Sequence, residues 1–331
     1  MRLKLKVSVI SPSLNTGKFL RETIESIRKQ SLKNFEYIVV DGGSTDGTID
    51  ILKKYSGLLN LKWVSKRDSG TLEATRKGLS MAKGDYILFS NISDGYLDRD
   101  WFQKCVDVLD RDKEVSLVWG FVRQITEDGE LKDISFPQFH NRMPPQKTEF
   151  IYYWLATFFP LPEMNFCVRR NVFDGCFPLY EKGKKLEIDP IIEFNYHFNA
   201  KGYLPYFIPT VASFSRIHSG QLSEKYHRER EDILYARNFL KLASRYRKDI
   251  ILGLKPHHWR DGEGNILPIK FSRSKFFREQ VFSAKGFLRI LLCGGAALVR
   301  PTVRWLLAEE RVPRPLKTFI KKLKYFYGYR Q

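Results

Sequence analysis

The sequence predicts an α/β fold, a mostly parallel β-sheet flanked by helices, with a helical and basic extension at the C-terminus. Two observations carry this prediction. Short apolar runs alternate with segments of helical character along the first third of the chain, which is typical of a parallel sheet with helical crossovers. Each apolar run also leads into a polar loop, as strands do at the open edge of such a sheet.

The predicted strands are short runs rich in β-branched and aromatic residues, which favour strands. In order they are "KVSVIS", "FEYIVVD", "LKWVSK" and "DYILFSNIS", at residues 6–11, 35–41, 61–66 and 85–93. The second run stops abruptly at Asp41 and is followed by Gly42 and Gly43. This sequence predicts a buried strand that opens into a loop.

The predicted helices lie between these strands. They are "GKFLRETIESIRKQS", "TDGTIDILKKY" and "TLEATRKGLSMAKG", at residues 17–31, 45–55 and 71–84. In the second helix the apolar residues Ile49, Ile51 and Leu52 have helical spacing, and Asp46 stands where an N-cap or first-turn carboxylate belongs.

The composition excludes several classes of protein. With 331 residues, 43% hydrophobic and 14% aromatic, the chain is globular over most of its length. Its four cysteines have neither disulfide-framework nor zinc-site spacing, which favours a reducing compartment: Cys105, Cys167, Cys176 and Cys293. The first fifteen residues alternate basic with apolar residues, so no secretion signal is expected.

The net charge of +19 calls for a negatively charged partner. Residues 285–331 hold eleven Lys and Arg against two Glu, so about half of the excess lies there. Their apolar run "GFLRILLCGGAALV" is shorter than the ~20 residues of a spanning helix. Aromatic residues among the later basic ones are typical of a membrane-surface segment, although a tail packed on the domain fits equally well. These aromatic residues are Trp305, Phe319, Tyr325, Phe326 and Tyr327.

Four polar loops follow the four predicted strands. They are residues 11–15, 41–46, 65–70 and 90–95, and three of them carry Asp. One such Asp is usually a turn residue, but three at one sheet edge favour a ligand site. The two common glycine-rich phosphate loops are absent from the sequence. A nucleotide would therefore be held by Asp carboxylates at its base and ribose, by a cation at its phosphates and by a metal bound to its diphosphate.

Residues 7–98 resemble a family 2 glycosyltransferase with the GT-A fold, of the type that builds bacterial cell-surface polysaccharides. The matching motifs, in order, are "ISPSLN", "QS" at residues 30–31, "DGGSTDGT" at 41–48, "DSGTLEATRKG" at 68–78 and "GDYILF". The resemblance implies that Asp41 contacts the nucleobase, that Asp68 lies beside base and ribose, and that Lys77, with Arg76 less directly, meets the diphosphate. It also places Ser11, Asn15 and Ser93 in contact with the nucleotide-sugar donor.

The metal motif departs from the family pattern. "SNISDG" has Ser93 at the first acidic position and retains only Asp94 at the second, which the resemblance makes the ligand of Mn²⁺ or Mg²⁺. These cations take few protein ligands when a diphosphate supplies others. "FSRIHSGQLS" (214–223) resembles the segment that closes many such catalytic domains, in which His218 completes the metal shell or contacts the diphosphate.

A carboxylate that removes a proton from the acceptor is expected before a later helix. The resemblance assigns this role to Asp189, followed by Pro190 at the predicted first helical position, with Glu187 as competitor. Asp189 could equally cap that helix.

The chain is therefore expected to be a metal-assisted, inverting glycosyltransferase that uses a nucleotide-sugar donor and a saccharide acceptor, which the basic tail suggests is lipid-linked. UDP-sugars are favoured, while guanine and thymine nucleotides stay open. The expected organisation is a catalytic domain at 1–223, with donor (1–100) and acceptor (101–223) halves, then a region at 224–331 with a helix (224–249), a connector (254–268) and the tail.

The expected location is cytoplasmic, peripheral on the inner membrane face. Two alternatives stay open. A GT-A domain that binds its nucleotide without catalysis is suggested by Ser93, and a polyanion-binding protein is suggested by the charge alone. No nucleic-acid partner is expected, because the sheet carries no recognised binding motif.

Overall fold

The computed structural model describes residues 4–134, 143–157, 161, 165–179, 190–221, 250 and 257–281. These residues form a nine-stranded mixed sheet and a separate two-stranded hairpin. The strands of the large sheet lie side by side in the order Leu61–Ser65 (β3), Phe35–Asp41 (β2), Val7–Ser13 (β1), Tyr86–Phe89 (β4), Cys167–Arg169 (β8), Val115–Ile125 (β6), Leu204–Arg216 (β9) and Gly95–Tyr96 (β5), and Leu131–Ile134 (β7) pairs with β6. β1 to β4 run parallel, β6 runs parallel to β9, and β5, β7 and β8 are antiparallel to their partners. The predicted α/β fold is confirmed.

The first part of the chain has the predicted strand and helix order. Its elements are β1 (Val7–Ser13), α1 (Gly17–Arg28), β2 (Phe35–Asp41), α2 (Thr48–Tyr55), β3 (Leu61–Ser65), α3 (Thr71–Met81) and β4 (Tyr86–Phe89). All seven residues of β2 are buried, as expected for a central strand covered on both faces. Helices α1 and α3 are shorter than predicted, and each ends three residues before its predicted end.

The second part widens the sheet beyond β4. Its elements are β5 (Gly95–Tyr96), α4 (Trp101–Arg111), β6 (Val115–Ile125), β7 (Leu131–Ile134), α5 (Lys147–Thr157), β8 (Cys167–Arg169), α6 (Arg170–Cys176), α7 (Pro190–Ala200) and β9 (Leu204–Arg216). Among the described residues helix α7 runs from Pro190 to Ala200, and the residues directly before Pro190 lie outside the described part of the chain.

The predicted connector contains structure that the sequence did not indicate. A hairpin of β10 (His258–Arg260) and β11 (Ile266–Lys270) lies there, followed by the short helix α8 (Arg273–Phe276) and a π-helical turn, Phe277–Val281. The sequence gives His257 and His258 no motif context and predicts that both lie at the surface; His258 is exposed, whereas His257 is only partly exposed. The His257 ring packs edge-on against the buried Trp259, 5.1 Å between centroids, and burial lowers its pKa to about 4.

Helix α3 lies unusually close to strand β1. A Cβ on Gly78 would lie 2.5 Å from Cγ2 of Ile10, far inside contact distance. Only glycine therefore allows the helix to pack here. This close approach brings the preceding residue, Lys77, to the carboxyl edge of the sheet.

The chain divides into two compact units. The first contains residues 1–150, 160–239 and 257–270, and the second contains 151–159, 240–256 and 271–331. In the second unit Tyr152 stacks on Phe271, 5.0 Å between ring centroids, and accepts a hydrogen bond from Ser272 N at 2.9 Å. Within the described residues, no helix is long and apolar enough to cross a membrane. The predicted helix at 224–249 and the basic tail lie outside the described residues.

A buried carboxylate ties strands together at the amino end of the sheet. Glu36 accepts hydrogen bonds from Ser8 Oγ at 2.7 Å and Lys83 N at 2.6 Å, and pairs with Lys62 Nζ at 2.5 Å. Burial alone would raise the pKa of Glu36, but these partners outweigh burial and lower it. Removing the charge leaves donors unpaired, and such losses cost about 1–3 kcal/mol.

We expect Glu36→Gln to lower the free energy of unfolding at pH 7 by about 1–3 kcal/mol. Because the folded pKa of Glu36 is lowered, its contribution is present above the ordinary glutamate pKa and is lost as the pH falls through the folded value. The variant should therefore lose less stability than the wild type upon acidification below about pH 4.5. Urea unfolding across this range measures both effects, and the exposed Glu130→Gln serves as control. Equal midpoints for the two variants would contradict the assignment.

Candidate active site

The ends of three neighbouring strands meet at the carboxylate of Asp41. Ser13, Asp41 and Ser65 are aligned across β1, β2 and β3. Asp41 accepts hydrogen bonds from Ser13 Oγ at 3.1 Å and Ser65 Oγ at 2.7 Å. It also accepts from Gly43 N at 3.0 Å, Ser44 N at 2.9 Å and the Ser44 hydroxyl. One carboxylate thus fixes three strand ends and the loop that follows β2.

These hydrogen-bond donors stabilise the ionised form of Asp41. Burial alone would raise the pKa of Asp41, but the hydrogen bonds from Ser44, Ser65 and Gly43 outweigh it and hold the pKa below its ordinary value. The side chain is fully buried, and five donors already fill about four lone-pair sites. The hydroxyl donors can rotate toward other acceptors, whereas the two N–H donors are fixed. Contact with a nucleobase stays a prediction for this residue.

Asp68 lies in the next loop, directly against the Asp41 loop. A Cβ on Gly42 would lie 3.3 Å from Asp68 Oδ1, so glycine leaves the space that this carboxylate occupies. Asp68 accepts a hydrogen bond from Gly70 N at 2.9 Å. Burial raises the pKa of Asp68, and the charges of Glu73 and Asp41 add to the shift. The structure therefore brings together the two carboxylates predicted at base and ribose.

The two basic residues of helix α3 differ in their contacts. Arg76 donates to Pro178 O at 2.8 Å, pairs with Asp174 at 2.6 Å and contacts the carbonyl and ring of Phe177. Lys77 is half-buried and lies near enough to Asp68 to lower the pKa of that carboxyl group, and its ammonium makes no hydrogen bond or ion pair with the described part of the chain. Lys77 is thus open to an anion, while Arg76 joins α3 to the end of α6.

The loops after β1 and β2 are joined through their side chains. Asn15 adopts φ 52°, donates from its N–H to Ser44 Oγ at 2.7 Å and accepts from Thr45 N at 3.0 Å. Its side chain is exposed at this edge. Ser11 lies deeper: it is fully buried, donates to Ser90 O and accepts from Tyr37 OH at 3.0 Å. The exposed side chain of Asn15 can contact a nucleotide-sugar donor, and that contact stays a prediction. The Ser11 hydroxyl, in contrast, makes both of its hydrogen bonds with protein groups.

Asp46 caps two helices at once. Oδ1 accepts from Thr48 N at 3.1 Å at the start of α2, as the sequence predicts, and Oδ2 accepts from Gly17 N at 2.8 Å at the start of α1. Neither helix has a side-chain cap from its own N-cap residue. Because a carboxylate stabilises a helix N-terminus, Asp46 fixes the directions of both helices relative to the loop.

The predicted metal residue Asp94 lies after β4 in a strained turn. Ser93 has φ 118°, a region that side chains rarely adopt, and donates from its N–H to Thr23 Oγ1 at 3.4 Å. Asp94 Oδ1 accepts from Arg216 N at 3.0 Å. Asp94 is only 3% exposed, and burial raises its pKa to about 7. A nearby cation would favour its ionised form.

His218 lies two residues beyond Arg216, the last residue of β9. Its ring packs against Phe19, 4.7 Å between centroids. Burial lowers the pKa of His218, with Lys18 and Arg216 adding to the shift and Glu127 opposing it. The ring is therefore mainly neutral at pH 7 and has a lone pair available for a metal.

The side chains of Asp94 and His218 have the chemistry of cation ligands, and a metal site that uses both of them stays a prediction. A carboxylate oxygen and an imidazole nitrogen suit Mn²⁺ or Mg²⁺, but no group of three His, Cys, Asp or Glu side chains converges among the described residues. The remaining ligands would have to be diphosphate oxygens and water. Asp189 and Glu187, the predicted alternatives for the base, lie outside the described residues.

Sequence reasoning missed the role of Arg216. It stands in the "FSRIHSGQLS" segment, but only His218 was assigned a function there. Arg216 is 2% exposed and contacts both the Ser93–Asp94 turn and helix α1. The sequence gives no direct signal for this, because a buried arginine reads like any other basic residue.

Part of the chain is similar in sequence to a known glycosyltransferase. A "PGL/p-HBAD biosynthesis glycosyltransferase" from Mycobacterium bovis (strain BCG / Pasteur 1173P2) is 32% identical over 117 residues, which are 35% of this chain and 46% of the relative. The match thus spans about half the length of that relative.

Two solved structures share the fold. The mannosyltransferase PcManGT from Pyrobaculum calidifontis, in complex with GDP-Man and Mn²⁺, has a TM-score of 0.56 at 18% identity, covering 98% of this chain and 85% of that one. TarS from S. aureus (residues 1–349), in complex with UDP-GlcNAc, has a TM-score of 0.50 at 16% identity, covering 89% and 81%. Residues 8–177, just over half of the chain, match the family described as "Glycosyl transferase family 2", and the chain belongs to this family.

Proposed function

We propose that the protein is an inverting glycosyltransferase that moves a sugar from a nucleotide-sugar donor to a saccharide acceptor in cell-surface polysaccharide synthesis. One observation carries the proposal. The carboxyl edge of the sheet gathers two neighbouring carboxylates, Asp41 and Asp68, the Asp94 turn and the ammonium of Lys77, which has no partner among the described residues. A nucleoside diphosphate presents hydrogen-bond donors and phosphate charge in a matching arrangement.

The donor's base and ribose would lie at the Asp41 and Asp68 loops. Hydroxyl groups of ribose are good partners for the partly buried Asp68, which has one oxygen bound to Gly70 N. The Asn15 side chain lines the same edge, and the Lys77 ammonium would meet the phosphates as a point charge. UDP is the favoured nucleotide, supported by the UDP-GlcNAc complex of TarS, while the GDP-Man complex of PcManGT keeps guanine open.

Asp94 and His218 would hold Mn²⁺ or Mg²⁺, which when bound supplies positive charge to the leaving diphosphate. Asp94 would be ionised in that state despite its burial, because the cation outweighs the desolvation that raises its pKa. The Mn²⁺ in the PcManGT complex supports this assignment.

The proton of the acceptor hydroxyl would be taken by Asp189. This residue immediately precedes Pro190, the first described residue of α7. The acceptor oxygen then attacks the anomeric carbon opposite the leaving diphosphate, which inverts the configuration. The alternative, a domain that binds a nucleotide without transfer, is favoured only by Ser93 in place of an acidic residue.

We expect a nucleotide to stabilise the protein, and a divalent cation to increase that effect. At 100 times the dissociation constant the gain is ~2.7 kcal/mol, visible as a thermal shift with UDP, GDP, TDP or CMP. Asp94→Asn keeps the acceptor for Arg216 N but removes the charge, so the increase caused by Mn²⁺ should disappear. The exposed Asp128→Asn should behave as wild type. Unchanged metal dependence in Asp94→Asn would contradict the assignment, and nucleotide binding without any sugar transfer would indicate the non-catalytic alternative.

Asp189→Asn should leave nucleotide binding unchanged and lower turnover about 10²–10⁴-fold, because the variant lacks a general base. The measurement is release of nucleoside diphosphate in the presence of acceptor. Glu187→Gln is the matched control. If Glu187→Gln causes the loss instead, the base is Glu187, and if neither variant does, the proposed mechanism fails.

The basic tail should bring the protein to anionic membranes, where lipid-linked acceptors are found. Each Lys or Arg near such a surface contributes ~1 kcal/mol, and charges more than ~8 Å apart are screened at physiological salt. Co-sedimentation with vesicles of rising anionic lipid content should therefore retain the full chain at low salt and release it at high salt. A chain truncated after Phe282 is the comparison. If both forms stay in the supernatant, the membrane role is wrong and the acceptor need not be lipid-linked.

A further inference from the structure

The guanidinium of Arg216 joins three parts of the first unit. Its side chain is 3% exposed. Nε donates to Ser93 O at 3.2 Å, and Nη1 donates to Thr126 O at 3.2 Å and Glu127 O at 2.7 Å. Nη2 pairs with the carboxylate of Glu22 in α1. Four hydrogen bonds from the five N–H groups of one guanidinium are therefore made within the protein.

Aromatic rings fix the position of this guanidinium. It lies 5.2 Å from the centroid of the Phe19 ring and 5.6 Å from that of Phe214. Phe19 also packs against His218, with 4.7 Å between the ring centroids. The same ring of α1 therefore supports both Arg216 and the proposed imidazole ligand.

Arg216 contacts the Asp94 turn twice. Its main-chain N–H donates to Asp94 Oδ1 at 3.0 Å, and its Nε donates to the carbonyl of Ser93. Ser93 has φ 118°, a strained conformation for a residue with a side chain. Strained turns persist only where surrounding contacts hold them, and the clamp on the Ser93 carbonyl is one such contact.

We propose that Arg216 is a positioning residue for sugar transfer: it holds the strained Ser93–Asp94 turn so that the Asp94 carboxylate faces the divalent cation bound with the donor. The inference rests on the proposed metal role of Asp94. Arginine suits the task because its planar fork donates in several fixed directions at once, whereas the ammonium of lysine is a single flexible point charge.

Arg169 provides a matched control elsewhere in the same unit. Its guanidinium likewise donates to three carbonyls, Val115 O at 2.9 Å, Leu109 O at 2.6 Å and Asp112 O at 3.1 Å. It also lies over an aromatic ring, 5.8 Å from the centroid of Tyr86. Because Tyr86 begins β4, this clamp is at the amino end of the parallel strands, away from the Asp94 turn. Arg216→Lys and Arg169→Lys thus each remove a guanidinium that donates hydrogen bonds to three carbonyl groups and lies over an aromatic ring.

The test compares the affinities of the full-length wild type and both variants for Mn²⁺ and for UDP. Mn²⁺ is titrated calorimetrically into protein saturated with UDP, UDP is titrated in the presence of EDTA, and thermal unfolding is followed in parallel. We expect both variants to lose thermal stability. Only Arg216→Lys should weaken Mn²⁺ binding, by about 10–100-fold as for other residues that orient metal ligands, while its metal-free UDP affinity stays near that of the wild type.

Equal Mn²⁺ affinity in wild type and Arg216→Lys would overturn the inference, as would the same loss in Arg169→Lys. If Arg216→Lys does not fold, Glu22→Gln replaces it, because Glu22 is 55% exposed and its loss leaves the other three hydrogen bonds in place. This variant should weaken Mn²⁺ binding to a smaller extent, and no change would overturn the inference. If Mn²⁺ has no effect on the wild type, the metal role of Asp94 fails first, and the positioning role fails with it.

Discussion

The carboxylate of Asp41 is the interaction on which the site depends. It ends the central strand β2 and collects donors from the ends of β1 and β3 and from its own loop. A buried charge is tolerated only where such donors surround it, so the strand ends and the loop must adopt one arrangement. The loop so fixed holds Asn15 through Ser44 and Thr45, and it sets the space that Asp68 fills beside Gly42.

The site therefore contains two kinds of polar residue. In the first kind, the polar atoms of the side chain form hydrogen bonds within the protein. This kind includes Asp41, Asp46, Ser11 and Arg76. The other kind stays open at the same edge, with the exposed Asn15 side chain, the partly buried Asp68 and the unpaired Lys77 ammonium of the described part. A frame of satisfied hydrogen bonds around a few open groups is preorganised, since little has to be reordered when a ligand binds.

The Asp94 turn depends on residues far away in the chain. Arg216, which follows Asp94 by 122 positions, supplies the donor to its carboxylate and the clamp on Ser93. Helix α1 contributes Thr23, whose hydroxyl donates to Asp94 O at 2.7 Å, and Glu22 beside the guanidinium. The turn that follows β4 is thus stabilised by β9, which comes last in the chain among the strands of the large sheet, and by helix α1.

The sequence by itself determined the α/β order, the four polar loops at one sheet edge and the helix-capping position of Asp46. These features are local, because hydrophobic spacing and turn residues act within a few positions of the chain. Only the tertiary structure decided which polar residues remain open. Arg76 and Lys77 are adjacent and equally basic, yet one meets Asp174 and the other does not. The partial burial of His257, the occupied oxygens of Asp41 and the clamp by Arg216 were decided in the same way, because hydrogen-bond partners distant in sequence become neighbours only once the sheet and its helices have packed.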